Sequence, residues 1–204
     1  MIDVATAAGL SYRGVAQREL PVPALAGGHQ CMNAATAVAA AEMLPGRLRL
    51  DAAAIAAGVA SAEWPARLQR LSRGPLIDGL PPGCELWLDG GHNEDGARAI
   101  ADWARALDDG APLDIVVALR STKRPEPVLA ALGAVAHRLV CVGNPADAVA
   151  SPPSALVAAA RAIGLADVIE APDVAAGLRA LTAPRRVLIC GSLYLAGAVL
   201  AENG

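Results

Sequence analysis

The chain has 204 residues, 54% of them hydrophobic and 18% charged, and its formal net charge is −3 at pH 7. This composition is typical of a globular protein with one large domain, or with one domain and part of another. It excludes a membrane span, because no apolar run approaches the roughly 20 residues that a span needs, and the absence of a long basic run argues against a nucleic-acid partner.

The start of the chain and its cysteines set the expected compartment. The N-terminal segment contains Asp3 and has neither the basic start nor the apolar stretch of a secretory signal. We therefore expect a cytoplasmic protein. The four cysteines form no C-x-x-C pair, and Cys141 and Cys190 lie in apolar runs where a free thiol packs as a small hydrophobic side chain. The sequence therefore predicts no metal site.

The first 65 residues predict an incomplete domain. Residues 11–22 are expected to be extended, and residues 29–44 are helical by composition and apolar on nearly every face, as in a helix buried between layers or domains. Asp51 is a candidate N-cap for a second helix. Two helices and one or two strands do not complete a sheet domain, so we interpret this region as the tail of a truncated domain that ends near Pro65.

After Arg67 strand signals and helix signals alternate. The strand candidates are the apolar runs ELWLDG, LDIVVAL, RLVCVG, ADVIEA and RVLICG. The helix candidates are Glu94 to Leu107 and segments that follow Pro127, Pro152, Asp173 and Ser192. Continuous apolar strands are expected where helices cover both faces of a parallel sheet. The predicted fold class is therefore α/β, with a doubly wound, mostly parallel sheet.

A polar turn, Asp89–Asn93, follows the first of these strands. In such folds ligands bind at the carboxyl ends of the strands, and the two glycines of this turn allow a close approach of the backbone. Asp89 ends a buried strand and must therefore be paired or hydrogen-bonded. Two structural interpretations stay open, namely Asn93 as a helix N-cap and His92 as an ordinary surface histidine.

Two further loops could meet an anion. The loop Arg120–Arg124 carries three cations, which could bind a carboxylate or could simply be solvated. Gly191 and Ser192 could offer backbone N–H groups, or could form a small turn before a helix. The chain contains neither G-x-G-x-x-G nor a G-x-x-x-x-G-K-[ST] phosphate loop. The missing glycine fingerprint counts against a dinucleotide-dependent oxidoreductase.

The order of several motifs resembles a known family. GGHQCMNAATAVAAAEML, EWPARLQRL, LWLDGGHN, a lysine-bearing loop and ICGSLYLAG follow one another as in the C-terminal half of folylpolyglutamate synthase/dihydrofolate synthase, of the Mur ligase superfamily. The resemblance implies that residues 1–65 are the C-terminal part of a central ATP-binding domain, and that residues 66–204 are a Mur ligase C-terminal α/β domain. Three positions depart from the family pattern: Ala66 replaces Gly, Glu94 replaces Pro, and Arg124 replaces Asp.

The resemblance implies an ATP-dependent amide ligase that adds L-glutamate to dihydropteroate or to folate polyglutamates through an acyl phosphate. Carried over by motif, Asn33, Arg67 and Asp89 contact ATP. Arg67 and His92 take part in catalysis, and His92 and Lys123 contact substrate. The phosphate loop and the Mg²⁺ ligands would belong to the missing N-terminal half of the same polypeptide, so this fragment alone would orient substrate and close over ATP without being active. The alternative is a stand-alone small-molecule-binding or regulatory module.

Overall fold

The computed structural model of the chain describes residues 2–6, 9–44, 50–122 and 124–203. The chain divides into two compact units, residues 1–65 (unit 1) and residues 66–204 (unit 2). Within the described ranges no helix is both long enough and apolar enough to span a bilayer. Each unit has its own hydrophobic core, so the two are described separately.

Unit 1 is a small antiparallel sheet with two helices. Its elements in chain order are β1 (Ile2–Thr6), β2 (Gly9–Arg13), β3 (Gln17–Leu20), α1 (His29–Glu42) and α2 (Ala52–Ser61). The predicted N-cap of α2 is confirmed, because the Asp51 carboxylate accepts a 2.7 Å hydrogen bond from the Ala54 amide. Strand β1 was not predicted. The assignment of this unit to an ATP-binding domain stays a prediction.

Unit 2 is built on a six-stranded sheet in the order β4-β5-β9-β6-β7-β8. Its strands are β4 (Gln69–Leu71), β5 (Glu85–Leu88), β6 (Leu113–Val117), β7 (Arg138–Val142), β8 (Val168–Ala171) and β9 (Arg186–Cys190). Its helices are α3 (Pro75–Asp78), α4 (Glu94–Leu107), α5 (Pro125–Gly133), α6 (Pro153–Ala162), α7 (Val174–Arg179) and α8 (Leu193–Asn203). All neighbouring strands pair in parallel except β4 and β5. The predicted α/β class with a mostly parallel sheet is confirmed.

The helices of unit 2 form two layers that place a crevice at the end of β9. Helices α4, α5 and α6 contact one another in series, whereas α3, α7 and α8 share a separate hydrophobic cluster with the alternate residues of the strands. The helix that follows β9 therefore lies on the face opposite to those that follow its neighbours β5 and β6. At such a switch point the loops diverge and leave room for a ligand outside the carboxyl ends of the strands.

The expectation for the strand cysteines is confirmed. Cys141 and Cys190 are fully buried in the sheet. Burial, with a smaller contribution from Glu170, raises the pKa of the Cys141 thiol to about 12. Burial, with a smaller contribution from the nearby Asp89, also raises the pKa of the Cys190 thiol. Both thiols therefore stay protonated, and neither is a nucleophile.

Three features of unit 2 differ from the sequence prediction. The short helix α3 was not predicted. Strand β4 lies within the motif EWPARLQRL and was not predicted either, because three residues with two polar side chains give too little pattern to mark a strand. Helix α5 begins at Pro125 rather than after Pro127, since a proline is readily accepted in the first turn, where its missing N–H is not needed.

Candidate functional site

The segment 66–68 opens unit 2 and is called the connector; it is hydrogen-bonded to the polar turn after β5. The Gly90 amide donates to the Ala66 carbonyl at 2.8 Å, and the Leu68 amide donates to Asp89 Oδ2 at 2.8 Å. The other carboxylate oxygen of Asp89 accepts from the Gly91 amide at 2.6 Å. The expectation that this strand-end acid must be hydrogen-bonded is confirmed. The two specific motifs of the sequence therefore form one structural junction.

Arg67 sits at the centre of this junction with its backbone fixed on both sides. Its neighbours Ala66 and Leu68 have φ of 55° and 43°, a left-handed conformation that is uncommon for residues with a side chain. This conformation explains why glycine suits position 66. The half-buried Arg67 donates from Nη1 to the Ala66 carbonyl at 3.4 Å, and it forms no ion pair with any of the described residues. Its guanidinium is therefore placed and available to an anion.

The first glycine of the turn is needed for this packing. A Cβ on Gly90 would lie 2.4 Å from Leu193 Cδ2 and 3.1 Å from Arg67 Nη1, so a side chain there would displace the guanidinium. Gly91 is similarly enclosed, since its Cβ would lie 2.8 Å from Asp89 Oδ1. The glycines allow the connector and the turn to approach each other closely.

His92 is held by the same turn. Its Nδ1 lies 3.1 Å from the Gly90 carbonyl oxygen. When the neutral imidazole donates this hydrogen bond from Nδ1, the lone pair of the ring is on Nε2. Asn93 acts as the N-cap of α4, accepting from the Gly96 amide at 2.8 Å, so this structural interpretation is confirmed. The turn thus combines one helix cap with one imidazole that borders a cavity.

A cavity of about 250 Å³ opens at the crevice beside β9. It is lined by His92, Arg120, Thr122, Gly191, Ser192, Leu193 and Tyr194. These residues come from the loops that follow β5, β6 and β9 and from the first turn of α8. The volume is smaller than that of a typical site for a drug-sized ligand, so a small metabolite fits it best.

The floor of the cavity is a tight turn. Gly191 has φ of 110°, and a Cβ there would lie 2.3 Å from the Ala118 carbonyl oxygen, so only glycine fits without a shift of the backbone. The buried Ser192 accepts from the amides of Tyr194 and Leu195 at 3.1 and 3.4 Å. The hydroxyl therefore caps α8, which favours the structural interpretation of this turn.

Two further residues, Asn33 and Lys123, were predicted to belong to the site. Asn33 is an exposed residue of α1 in unit 1, and it donates to the side chain of the buried Gln30 at 2.9 Å. Lys123 lies outside the described residues. The structure therefore brings together Arg67, Asp89 and His92. It does not test the predicted roles: the contacts of Asn33, Arg67 and Asp89 with ATP and the contact of Lys123 with substrate stay predictions.

Sequence reasoning mentioned Arg120 and Ser192 only as parts of loops, and it missed Thr122 and Tyr194. Their position in the sequence could have indicated them, because all four follow the carboxyl end of a parallel strand, where ligands bind in such folds. No group of three or more His, Cys, Asp or Glu side chains within the described ranges could hold a metal ion.

We expect Asp89→Asn to destabilise unit 2. The asparagine side chain would keep one acceptor oxygen but would turn its NH₂ donor toward one of the two backbone amides, so that one hydrogen bond is lost. Loss of a hydrogen bond to a charged, buried group costs about 1.5 to 3 kcal/mol. The melting temperature should fall by about 4 to 10 °C, measured by thermal unfolding. Asp102→Asn, on the exposed face of α4, is the matched control and should change it by less than 2 °C. An unchanged melting temperature for Asp89→Asn would contradict the junction described above.

Several known proteins are similar to this chain in sequence and in fold. No family model matches the chain. A probable bifunctional folylpolyglutamate synthase/dihydropteroate synthase of Halobacterium salinarum is 31% identical over 172 residues, which cover 83% of this chain and 20% of that protein. Folylpolyglutamate synthase of Mycobacterium tuberculosis complexed with ADP superimposes with a TM-score of 0.79 at 27% identity, over 97% of this chain and 45% of that one.

A second solved structure points to the same family. It is a bifunctional folylpolyglutamate synthase/dihydrofolate synthase with Mn, AMPPNP and L-glutamate bound, and it superimposes with a TM-score of 0.75 at 26% identity over 98% of this chain. The chain spans less than half the length of these relatives. The resemblance of this chain to part of the folylpolyglutamate synthase/dihydrofolate synthase family, suggested by its W-P-x-R and D-G-x-H-N motifs, is thereby confirmed.

Proposed function

We propose that this chain is the C-terminal part of an ATP-dependent ligase that joins L-glutamate to dihydropteroate or to a folate through an amide bond. The observation that carries the proposal is the junction of the two motifs. It presents the Arg67 guanidinium, without a carboxylate partner among the described residues, next to the turn that holds His92. An unpaired, positioned cation is what an ATP-dependent acyl transfer requires.

The proposed reaction has two steps. The carboxylate of the pteroate or folate attacks the γ-phosphorus of ATP, which yields an acyl phosphate and ADP. The amine of glutamate then attacks the acyl carbon, and the tetrahedral intermediate collapses with loss of inorganic phosphate and of one proton from nitrogen. Negative charge develops first on the transferring phosphoryl group and then on the acyl oxygen. Cations and hydrogen-bond donors at these positions lower the barrier.

We assign three roles to the residues of unit 2. Arg67 braces the phosphoryl oxygens with its planar fork of N–H groups. His92, whose Nδ1 is engaged by the Gly90 carbonyl, accepts the proton of the attacking amine at Nε2. Asp89 positions both, because its carboxylate fastens the connector to the turn. Asn33 and Lys123 are proposed to contact ATP and substrate, as their motifs imply.

The cavity beside β9 is proposed to hold the amino-acid substrate. It borders His92 and Arg120, and its volume of about 250 Å³ suits a small molecule. This arrangement would place the amine of a bound glutamate on the same side of the sheet as the proposed proton acceptor. Holding two reactants side by side supplies a large part of the rate enhancement of such transfers.

The proposed function is tested by completing the chain. Alone, it should form no ADP that depends on glutamate and on dihydropteroate or folate, because it contains no phosphate loop. Fused behind the nucleotide-binding half of the Mycobacterium tuberculosis enzyme, it should restore ADP formation and a glutamylated product detectable by mass spectrometry. The nucleotide-binding half alone is the control. Substrate-dependent activity of the isolated chain would refute the proposed incompleteness, and a fusion that binds ATP but yields no product would refute the ligase assignment.

A further inference from the structure

Arg120 is the cation of the cavity beside β9. Among the described residues that line this cavity, it alone carries a permanent charge, and none of them is an acid. Arg120 follows β6, and its side chain is one-third exposed. A guanidinium on the wall of a small cavity is suited to bind a carboxylate through parallel N–H donors.

The buried Asp147 forms an ion pair with Arg120. Arg120 Nε lies 2.9 Å from Asp147 Oδ2, an ionic contact rather than a well-aligned hydrogen bond, and Nη2 lies 3.5 Å from Oδ1. The Asp147 side chain is only 5% exposed. Its Oδ1 also accepts from the Val149 amide at 3.1 Å, and its own amide donates to the Asn144 carbonyl at 2.9 Å. The acid is therefore fixed by its own loop.

The backbone around this pair is fixed as well. The loops that follow β6 and β7 are joined by a bridge between Arg120 and Ala150, by a 2.9 Å bond from the Ser121 amide to the Val149 carbonyl, and by a 2.8 Å bond from the Ser151 amide to the Leu119 carbonyl. The ion pair thus connects two loops whose relative position is already set.

Arg120 also contacts an aromatic ring. The guanidinium carbon of Arg120 lies 4.4 Å from the centre of the Tyr194 ring, within the range of a cation–π interaction. Asp147 engages the Nε and Nη2 edge, while Nη1 forms no hydrogen bond with the described residues. One edge of the fork is therefore held and the other is free for a ligand.

We propose that Arg120, positioned by Asp147 and Tyr194, determines specificity by binding the side-chain carboxylate of the amino-acid substrate, so that the cavity selects an acidic amino acid over its amide. This inference rests on the proposed function, which places the amino acid in this cavity. A side-chain amide has the same shape as a carboxylate but lacks the charge that the guanidinium requires. A site that pairs a positioned polar group with its ligand discriminates strongly against an analogue that cannot satisfy it.

The test measures binding of L-glutamate and L-glutamine to the 204-residue chain by NMR titration. The wild type should bind L-glutamate at least tenfold more tightly. Arg120→Gln should abolish that preference while L-glutamine binding stays within about threefold. Arg124→Gln removes an exposed charge from the same loop, outside the cavity lining, and should leave the preference unchanged.

Asp147 is inferred to act through Arg120 and is tested as a positioning residue. Asp147→Asn should reduce the preference for the acid at least fivefold, whereas a purely structural role would weaken binding of both ligands equally. In the double variant Arg120→Asp, Asp147→Arg the pair is restored with reversed charges, so the preference should change to L-glutamine. Inorganic phosphate serves as a competitor, because displacement at equal concentration would show a general anion site and overturn the inference.

The outcomes separate this inference from the proposed function. Binding of neither amino acid, or an unchanged preference in Arg120→Gln, refutes the role of Arg120. If the fusion enzyme still forms product in that case, the ligase assignment stands. If instead the chain selects L-glutamate through Arg120 and the fusion forms no product, the inference stands and the ligase assignment fails.

Discussion

Replacement of Arg186 by methionine is expected to lower the free energy of unfolding of unit 2 by about 2 kcal/mol. The Arg186 side chain is 8% exposed and pairs with Glu85 at 2.7 Å and with Asp109 at 2.6 Å. Loss of hydrogen bonds between charged groups costs about 1.5 to 3 kcal/mol, and water replaces part of the lost contact because the Glu85 and Asp109 side chains are 24% and 47% exposed. We expect the lower end, since Glu85 keeps its contact with Arg70 at 3.1 Å.

This expectation is checked by urea unfolding followed through the fluorescence of Trp87 and Trp103. Both rings lie in unit 2 with their centroids 5.0 Å apart, and a Trp64→Phe background removes the third tryptophan, which lies in unit 1, so that the signal reports on unit 2. Arg105→Gln is the matched control, because Arg105 forms an exposed pair with Asp102 and such pairs contribute 1 kcal/mol or less. A loss of less than 1 kcal/mol in Arg186→Met would show that the network contributes nothing to stability.

The pH dependence of the same variant tests the electrostatic origin of the effect. Hydrogen bonding to Arg186 lowers the pKa of Asp109 to about 2, and it is also the main cause that lowers the pKa of Glu85. A lowered pKa means that the folded state binds protons less readily than the unfolded state, so this stabilisation is present above about pH 4.5 and is lost as the pH falls toward 2. The difference between wild type and Arg186→Met should therefore shrink over that range. An unchanged difference would assign the effect to packing.

The regular part of unit 2 was predictable from local patterns. Continuous apolar runs marked β5 to β9, and the amphipathic spacing of α4 marked its bounds, Glu94 and Leu107. Asp51 and Asn93 were identifiable as N-caps, because a short polar side chain just before a helix can accept a hydrogen bond from a backbone amide of its first turn. These signals operate over a few residues, which is why they can be seen in the sequence.

The parts that were not predicted depend on long-range contacts. The Arg186 network joins residues from three separate strands and loops, and the Arg120–Asp147 pair joins two loops 27 residues apart. No periodicity shows which loop packs against which, so the composition of the cavity had to come from the structure. The site motifs were recognised from their likeness to a family rather than from physical pattern, and their roles therefore stay proposals.

Arg67→Ala is expected to reduce the turnover of the completed ligase about a hundredfold. One electrostatic contact to a transition state contributes about 3 kcal/mol, which corresponds to that factor in rate. The effect should fall on turnover rather than on folding, because the guanidinium makes one 3.4 Å hydrogen bond to the Ala66 carbonyl and no ion pair with the described residues. The melting temperature of the chain should consequently change by less than about 3 °C.

The conservative variant separates charge from shape. Lysine keeps the positive charge at position 67 but offers a single ammonium group, so it cannot form two parallel hydrogen bonds to phosphoryl oxygens. Arg67→Lys should therefore recover less than a tenth of the lost activity in the fusion enzyme, with turnover measured per folded molecule. Arg73→Ala, another arginine of unit 2 that lies outside the junction, is the matched control and should retain full turnover. Near-normal turnover of Arg67→Ala would make Arg67 a linker residue, and the proposed role of the connector in phosphoryl transfer would have to be given up.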